Sequence, residues 1–313
     1  MKKIRVRIFV PTFLFLLGAG SLTARTFTDL KGRRLEAELI GVSNDAAKVR
    51  RPDGVEFTLP LATLSEADCE FVRKWDEERR ARLAEKAPKP GETLTFDFPD
   101  LPKDFRGQPA ACKVQIPAGY DPAKPVGLMI FLPGGEGGSG PGGASRLTKE
   151  DFVCAGLPYP EDGRNPAQNN MVGDFDKVWK YWQPMLAKLS ETVPNLDPRL
   201  RVIGGFSNGG HAIDGVLGEA NFAKFFTAFF LIEGGGALPS RYSEARGKHC
   251  YVAWGEKSSA ALNSEEVVRR AKRAGMIVVQ SPMADTGHAF PESERQKVID
   301  WLYKTVIPAA TGK

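Results

Sequence analysis

The rhythm of apolar positions changes twice along this chain, and each change marks a boundary. Residues 8–17 form one apolar run, broken by Pro11, behind a basic start of Lys2, Lys3, Arg5 and Arg7. A charged head, a short apolar stretch and small residues up to Ala24 predict a secretory signal over 1–24. The run is too short for a spanning helix. The second segment has strand rhythm over 34–42, 46–51 and 55–59, with Pro52-Asp53-Gly54 as the turn between the last two. Ser65 followed by Asp68 predicts a capped helix start, with Phe71, Val72 and Trp75 on its inner face. The mixed charges from Asp76 to Arg82 read as a solvated helix face, and Pro88 to Gly91 as a linker.

From about residue 95 the rhythm changes again. Short apolar runs alternate with helix-length segments, the pattern of a mainly parallel sheet wound on both sides. The runs predict strands over 112–116, 127–132, 201–206, 228–233, 250–254 and 277–281, and helices over 175–193, 267–274 and 292–306. The expected organisation is a signal (1–24), a small β unit (25–76), a charged helix tail and linker (77–94), and an α/β domain (95–313).

Candidate chemistry sits at the strand ends. Gly205-Phe206-Ser207-Asn208-Gly209 follows an apolar strand and precedes a helix-compatible stretch. A serine there stands on a tight strand-to-helix turn with its hydroxyl presented at the sheet edge. Serine needs a base to take its proton. Of the 3 histidines, His211 falls inside the following helix and His249 at the wrong end of a strand. His288 follows the last predicted strand and reaches the carboxyl edge, where such a sheet binds its ligands. The loop from Gly134 to Gly143 lacks the Gly-Lys-Ser/Thr ending of a phosphate loop. It fits an oxyanion hole instead, with backbone N–H groups of Gly135 or Glu136 acting together with that of Asn208.

Cysteine and charge change little. The 4 cysteines allow three pairings in an exported chain, and no C-x-x-C spacing is present. Scattered histidines indicate no metal site, and no cofactor motif appears. The net charge of +5 falls to +1 without the four basic residues of the signal (5 − 4), which gives no electrostatic case for nucleic acid.

Two resemblances follow from these motifs. The stretch R-T-F-T-D-L-K-G-R-R-L-E-A-E-L-I-G-V, the P-D-G-x-x-F-T-L-P-L turn and L-S-E-A-D-C-E-F-V resemble the Sla-type homology domain, a small Src-homology-like β-barrel. That implies an interaction or spacer module. Residues 95–310 resemble the α/β-hydrolase superfamily. Within it they resemble exported esterases related to polyhydroxybutyrate depolymerase and feruloyl or acetyl-xylan esterase. The likeness rests on F-L-P-G-G-E-G-G-S-G, G-F-S-N-G-G, F-F-L-I-E-G-G-G, Y-V-A-W-G-E-K and G-H-A-F-P. It implies a doubly wound α/β-hydrolase fold. It also implies a periplasmic or secreted serine esterase acting on a small or polysaccharide-linked acyl ester, with Ser207 as nucleophile and His288 as base. The family's acid comes about three residues past Gly255, where this chain has Ser258. The carboxylate expected instead is Glu256, with Glu233 as the alternative. Pro133, where the family usually has histidine, and Ser258 leave open a weakened hydrolase fold that binds a ligand or partner. A protein-binding role centred on the N-terminal unit is the third reading.

Overall fold

In the computed structural model, residues 24–43, 45–237 and 241–312 are described. The expected signal lies outside them except for Ala24. The chain divides into two compact units, Met1–Ala81 and Arg82–Lys313.

The first unit is an antiparallel sheet of β1 (Arg25–Thr28), β2 (Arg34–Ser43), β3 (Ala46–Arg50) and β4 (Glu56–Pro60), paired in chain order. Helix α1 (Glu66–Lys86) follows. Alternation sets the faces: Ala47 and Val49 are buried between exposed Lys48 and Arg50. They join Phe27, Ala37, Leu39, Leu64 and Val72 in one core, with Phe71 and Trp75 packed against it. One expectation is corrected. Strands β1 and β4 do not pair, so the sheet is open and not a closed barrel. Helix α1 runs on to Lys86, so the expected helix tail forms its last turns. The capping is also more elaborate than the motif suggests. Asp68 N–H donates to Ser65 Oγ at 3.3 Å, and the Asp68 carboxylate accepts from that hydroxyl at 2.8 Å while also reaching β1. It accepts from Arg25 at 2.6 Å and from the Thr28 N–H at 2.8 Å. The Ser65 N–H, its partner in an ordinary capping box, donates to Thr28 O instead.

The second unit is built on an eight-stranded sheet. Its strands are β5 (Thr93–Asp97), β6 (Ala111–Gln115), β7 (Val126–Leu132), β8 (Phe152–Gly156), β11 (Leu196–Phe206), β12 (Ala228–Ile232), β13 (His249–Gly255) and β14 (Ile277–Met283). Between β8 and β11, the short strands β9 (Arg164–Asn165) and β10 (Gln168–Val172) pair apart from it. The order is β14-β13-β12-β11-β7-β8-β6-β5. All neighbours from β14 to β8 are parallel; β6 and β5 are antiparallel additions. This is the expected α/β-hydrolase arrangement.

The central strands read as unbroken apolar runs because both faces are covered. On β12, Phe229 and Leu231 enter one core while Phe230 and Ile232 enter the other. The helices are α2 (Gly142–Ser145), α3 (Phe175–Thr192), α4 (Asn208–Val216), α5 (Phe222–Phe225), α6 (Ala261–Arg273), α7 (Glu292–Trp301) and α8 (Ile307–Thr311), with a π turn over Leu302–Val306 between the last two. The first core takes side chains from α3, α4, α5 and α6; the second takes them from α2, α7 and the π turn. The six predicted strands are present within a few residues of their expected limits, and α6 begins six residues before the expected 267. Strands β5 and β8 were not foreseen. The β8 sequence, F-V-C-A-G, is short, small and buried throughout, and so carries no period. All four cysteines are free thiols. No helix among the described residues is long and apolar enough to cross a membrane.

Candidate active site

Strand β11 is the centre of the sheet and ends at Phe206; α4 begins at Asn208. Ser207 alone makes the reversal, at φ 54° and ψ −115°. This is a sparsely populated conformation for a non-glycine residue, and such strain gathers at functional sites. The surroundings enforce it. A Cβ on Gly209 would lie 2.1 Å from the Leu132 carbonyl oxygen, and one on Gly205 would lie 2.4 Å from the Gly209 carbonyl carbon. Only glycine lets β11, β7 and α4 close this tightly. Ser207 N–H donates to Ile232 O at 2.9 Å, which fixes the turn against β12.

His288 follows β14 and crosses back over the sheet edge. Its Nε2 lies 2.9 Å from Ser207 Oγ. Its Nδ1 lies 3.3 Å from Glu233 Oε2. The hydroxyl is aligned to donate to Nε2 when the ring carries its proton on Nδ1, the nitrogen facing the carboxylate. Glu233 comes directly after β12, with φ 55°, and is fully buried. Its Oε1 accepts from the Gly255 N–H. Its Oε2 has no fully formed hydrogen bond, so the 3.3 Å approach of the imidazole is a loose contact. Catalytic contacts are often long before substrate closes the site. The His288 side chain is 45% exposed, so the histidine is open to solvent on the side away from Glu233.

The expectation that Glu256 faces the histidine is therefore corrected. Glu256 was favoured, but it is exposed, and its main-chain N–H is tied to Met283 O at 3.1 Å. It makes no hydrogen bond to His288. Ser258, where the acid would ordinarily stand, is buried and shapes the turn into α6: its Oγ accepts from the Ala260 N–H at 3.1 Å. Asp285 is exposed and paired with Lys257 at 2.8 Å. The carboxylate that faces His288 thus comes from the end of β12, one strand inward from the end of β13. Sequence offered one clue to this: a carboxylate closing the wholly apolar run Phe229 to Ile232.

The glycine loop lies beside Ser207. A Cβ on Gly134 would meet the Ser207 Cβ at 3.0 Å. Three of the loop's carbonyls are held by side chains. Tyr159 Oη donates to Pro133 O at 2.6 Å, Asn208 Nδ2 donates to Gly135 O at 2.9 Å, and Arg106 donates to Gly137 O. Asn208 is buried and also accepts the Val172 N–H at 3.0 Å through Oδ1. Its side chain thus staples the loop to the start of α4, a contact the sequence reading missed. Glu136 and Gly135 are exposed.

His211 is closer to the site than its place in the helix suggested. Its Nδ1 accepts the Gly235 N–H at 3.1 Å. Burial, and secondarily the nearness of His288, lowers its pKa to about 4, so it is neutral near pH 7.

Beside the serine opens a cavity of about 240 Å3, lined by Phe131, Phe206, Phe290, Leu147, Arg146, Arg295 and the loop residues Pro133, Gly134 and Gly143.

No known family model matches the chain. No curated protein matches it either. Solved structures do resemble it. A carboxylesterase from Bacillus cereus is 15% identical with a TM-score of 0.49, over 68% of this chain and 93% of that one. A bacterial heroin esterase is 16% identical with a TM-score of 0.49, over 78% and 92%. A putative dipeptidyl aminopeptidase IV from Bacteroides ovatus is 11% identical with a TM-score of 0.50, over 91% of this chain and 43% of that one. The likeness to the last, at 11% identity, is one of fold.

Proposed function

We propose that this protein is a serine hydrolase that cleaves carboxylic esters, with Ser207 as nucleophile, His288 as base and Glu233 as the acid. The observation that carries this is the chain of contacts Ser207 Oγ, His288 Nε2, His288 Nδ1 and Glu233 Oε2, at 2.9 and 3.3 Å, on a strained elbow.

The chemistry follows from that line. Ser207 Oγ attacks the ester carbonyl carbon while its proton passes to His288 Nε2. The carbonyl oxygen becomes an oxyanion. It is met by backbone N–H groups of the glycine loop, Gly135 or Glu136, and of Asn208 at the start of α4, where the helix dipole also favours negative charge. Glu233 stabilises the imidazolium and holds the ring. The intermediate collapses, the bond to the alcohol oxygen breaks, and His288 returns the proton to the leaving alcohol. Water then attacks the acyl-Ser207 carbonyl. His288 takes its proton and gives it to Ser207 Oγ as the acid departs.

Ser258 is no argument for a weakened site, because another carboxylate faces the histidine. Export, the finer likeness to polyhydroxybutyrate depolymerase and feruloyl esterase, and the Sla-type module belong to the proposal and rest on the sequence motifs. The test is a fluorophosphonate probe. It should label one site, and Ser207→Ala should abolish both labelling and turnover of short acyl esters with the fold intact. Labelling that persists in Ser207→Ala sinks the assignment.

A further inference from the structure

The cavity beside Ser207 has an unusual lining. Three of its walls are phenylalanines, and their rings lie nearly parallel. Phe131 and Phe290 are 6.2 Å apart at 24°, and Phe206 and Phe290 are 6.4 Å apart at 17°. Leu147 adds a further apolar surface. The cavity belongs to the reacting centre by construction. Phe206 immediately precedes the serine, its ring lies 5.1 Å from that of His288, and Phe290 follows His288 by two residues. Gly134, which almost touches Ser207, forms part of the wall. At about 240 Å3 the space is below the usual range for ligand pockets and suits a single ring with a small substituent.

The remaining lining is cationic. Arg146 and Arg295 both border the cavity, and no carboxylate does. Arg295 is held over the Phe290 ring, 5.5 Å from its centroid, and bonded to Glu292 at 2.9 Å. The side chain of Arg146, at the end of α2, makes no hydrogen bond, ion pair or ring contact among the described residues. A guanidinium with no side-chain partner at the border of an apolar slot is free to receive an oxyanion in its planar fork.

Resting on the esterase reading above, we infer that the natural substrate is a monoanionic ester: a flat apolar group occupies the phenylalanine slot, and its free carboxylate meets Arg146. The ring supplies apolar contact and the carboxylate fixes its orientation. An ester with an uncharged methyl in place of the carboxylate leaves Arg146 as it is in the free enzyme and loses the charge-assisted bond.

The test uses the full chain and two matched pairs that differ only in carboxylate against methyl. One pair, 4-acetoxybenzoate and 4-acetoxytoluene, carries the ring on the alcohol side. The other, monomethyl terephthalate and methyl 4-methylbenzoate, carries it on the acyl side. In at least one pair the anion should be preferred about ten- to a hundredfold in kcat/KM, the range of one hydrogen bond to a charged group. The preference should appear mainly in KM and shrink as salt rises, because Arg146 is exposed. Arg146→Gln should bring the ratio within about threefold of unity, and Arg146→Glu should invert it. A methyl preference in both pairs, or an anion preference that survives both variants, overturns the inference. Fluorophosphonate labelling of Ser207, which does not need the slot, separates the two claims. Labelling with a methyl preference sinks this inference alone; no labelling sinks the esterase reading and this inference with it.

Discussion

At the scale of single residues, His211 makes a prediction separate from catalysis. Its folded pKa of about 4 lies below the ordinary histidine value of 6.5. Burial is the larger cause, and the positive charge of a protonated His288 adds to it. A base with a depressed folded pKa binds fewer protons folded than unfolded. Stability therefore rises with pH across the window from about 4 to 6.5 and is lost as pH falls through it. The ring keeps some solvent contact, which holds the effect to on the order of 1–2 kcal/mol. In His211→Gln the side-chain oxygen still accepts the Gly235 N–H but does not titrate. Urea midpoints at pH 7.5 and 4.5 should therefore differ less in this variant than in the wild type. An equal difference in both proteins contradicts the assignment. At this scale too, Ser207 and His288 were legible in sequence, because a motif and a chain order name them. Glu233 was legible only as an alternative. The resemblance placed the acid after β13, and sequence gives no measure of which strand end the imidazole meets.

At the scale of elements, the elbow depends on backbone approach. A Cβ on Gly209 would press on the Leu132 main chain, which has no way to yield without moving β7. Gly209→Ala should lower stability by more than about 4 kcal/mol, the range reserved for a disrupted core. A Cβ on Gly119 meets nothing within 4 Å, and Gly119→Ala should stay within about 0.5 kcal/mol. Thermal unfolding of the two variants checks this; a Gly209→Ala protein as stable as Gly119→Ala contradicts the tight packing. The strands of the central sheet were readable because burial on two faces writes itself as a continuous apolar run. Strand β5 alternates exposed and half-buried positions at the sheet edge, and β8 is too short and small to declare itself. The staple from Asn208 to Gly135 joins residues far apart in sequence, which no local pattern records.

At the scale of the molecule, Ser207, His288, Glu233, the glycine loop and the phenylalanine slot all lie within Arg82–Lys313. A chain beginning at Arg82 should therefore hydrolyse short acyl esters with kcat/KM within about threefold of the full protein, well under the 1.4 kcal/mol that marks a tenfold change. A loss of a hundredfold or more would show that the first unit contributes to the chemistry. The apolar rhythm showed two units, and their division after Ala81 falls within the charged helix tail that follows Trp75. The open antiparallel sheet in place of a barrel was not readable in that rhythm. Strand rhythm fixes which residues face inward, and it leaves closure to pairings that the sequence does not reveal.

The central claim is that Glu233, and not Glu256, orients His288. Ester turnover by Glu233→Gln and Glu256→Gln tests it most directly. Removing the carboxylate from a true triad populates the wrong imidazole tautomer and should lower kcat by about 10⁴-fold. Glu256 is exposed and points to no catalytic atom, so its replacement should cost less than about tenfold, roughly 1.4 kcal/mol of barrier. A large loss in Glu256→Gln with near-normal turnover in Glu233→Gln would contradict the account.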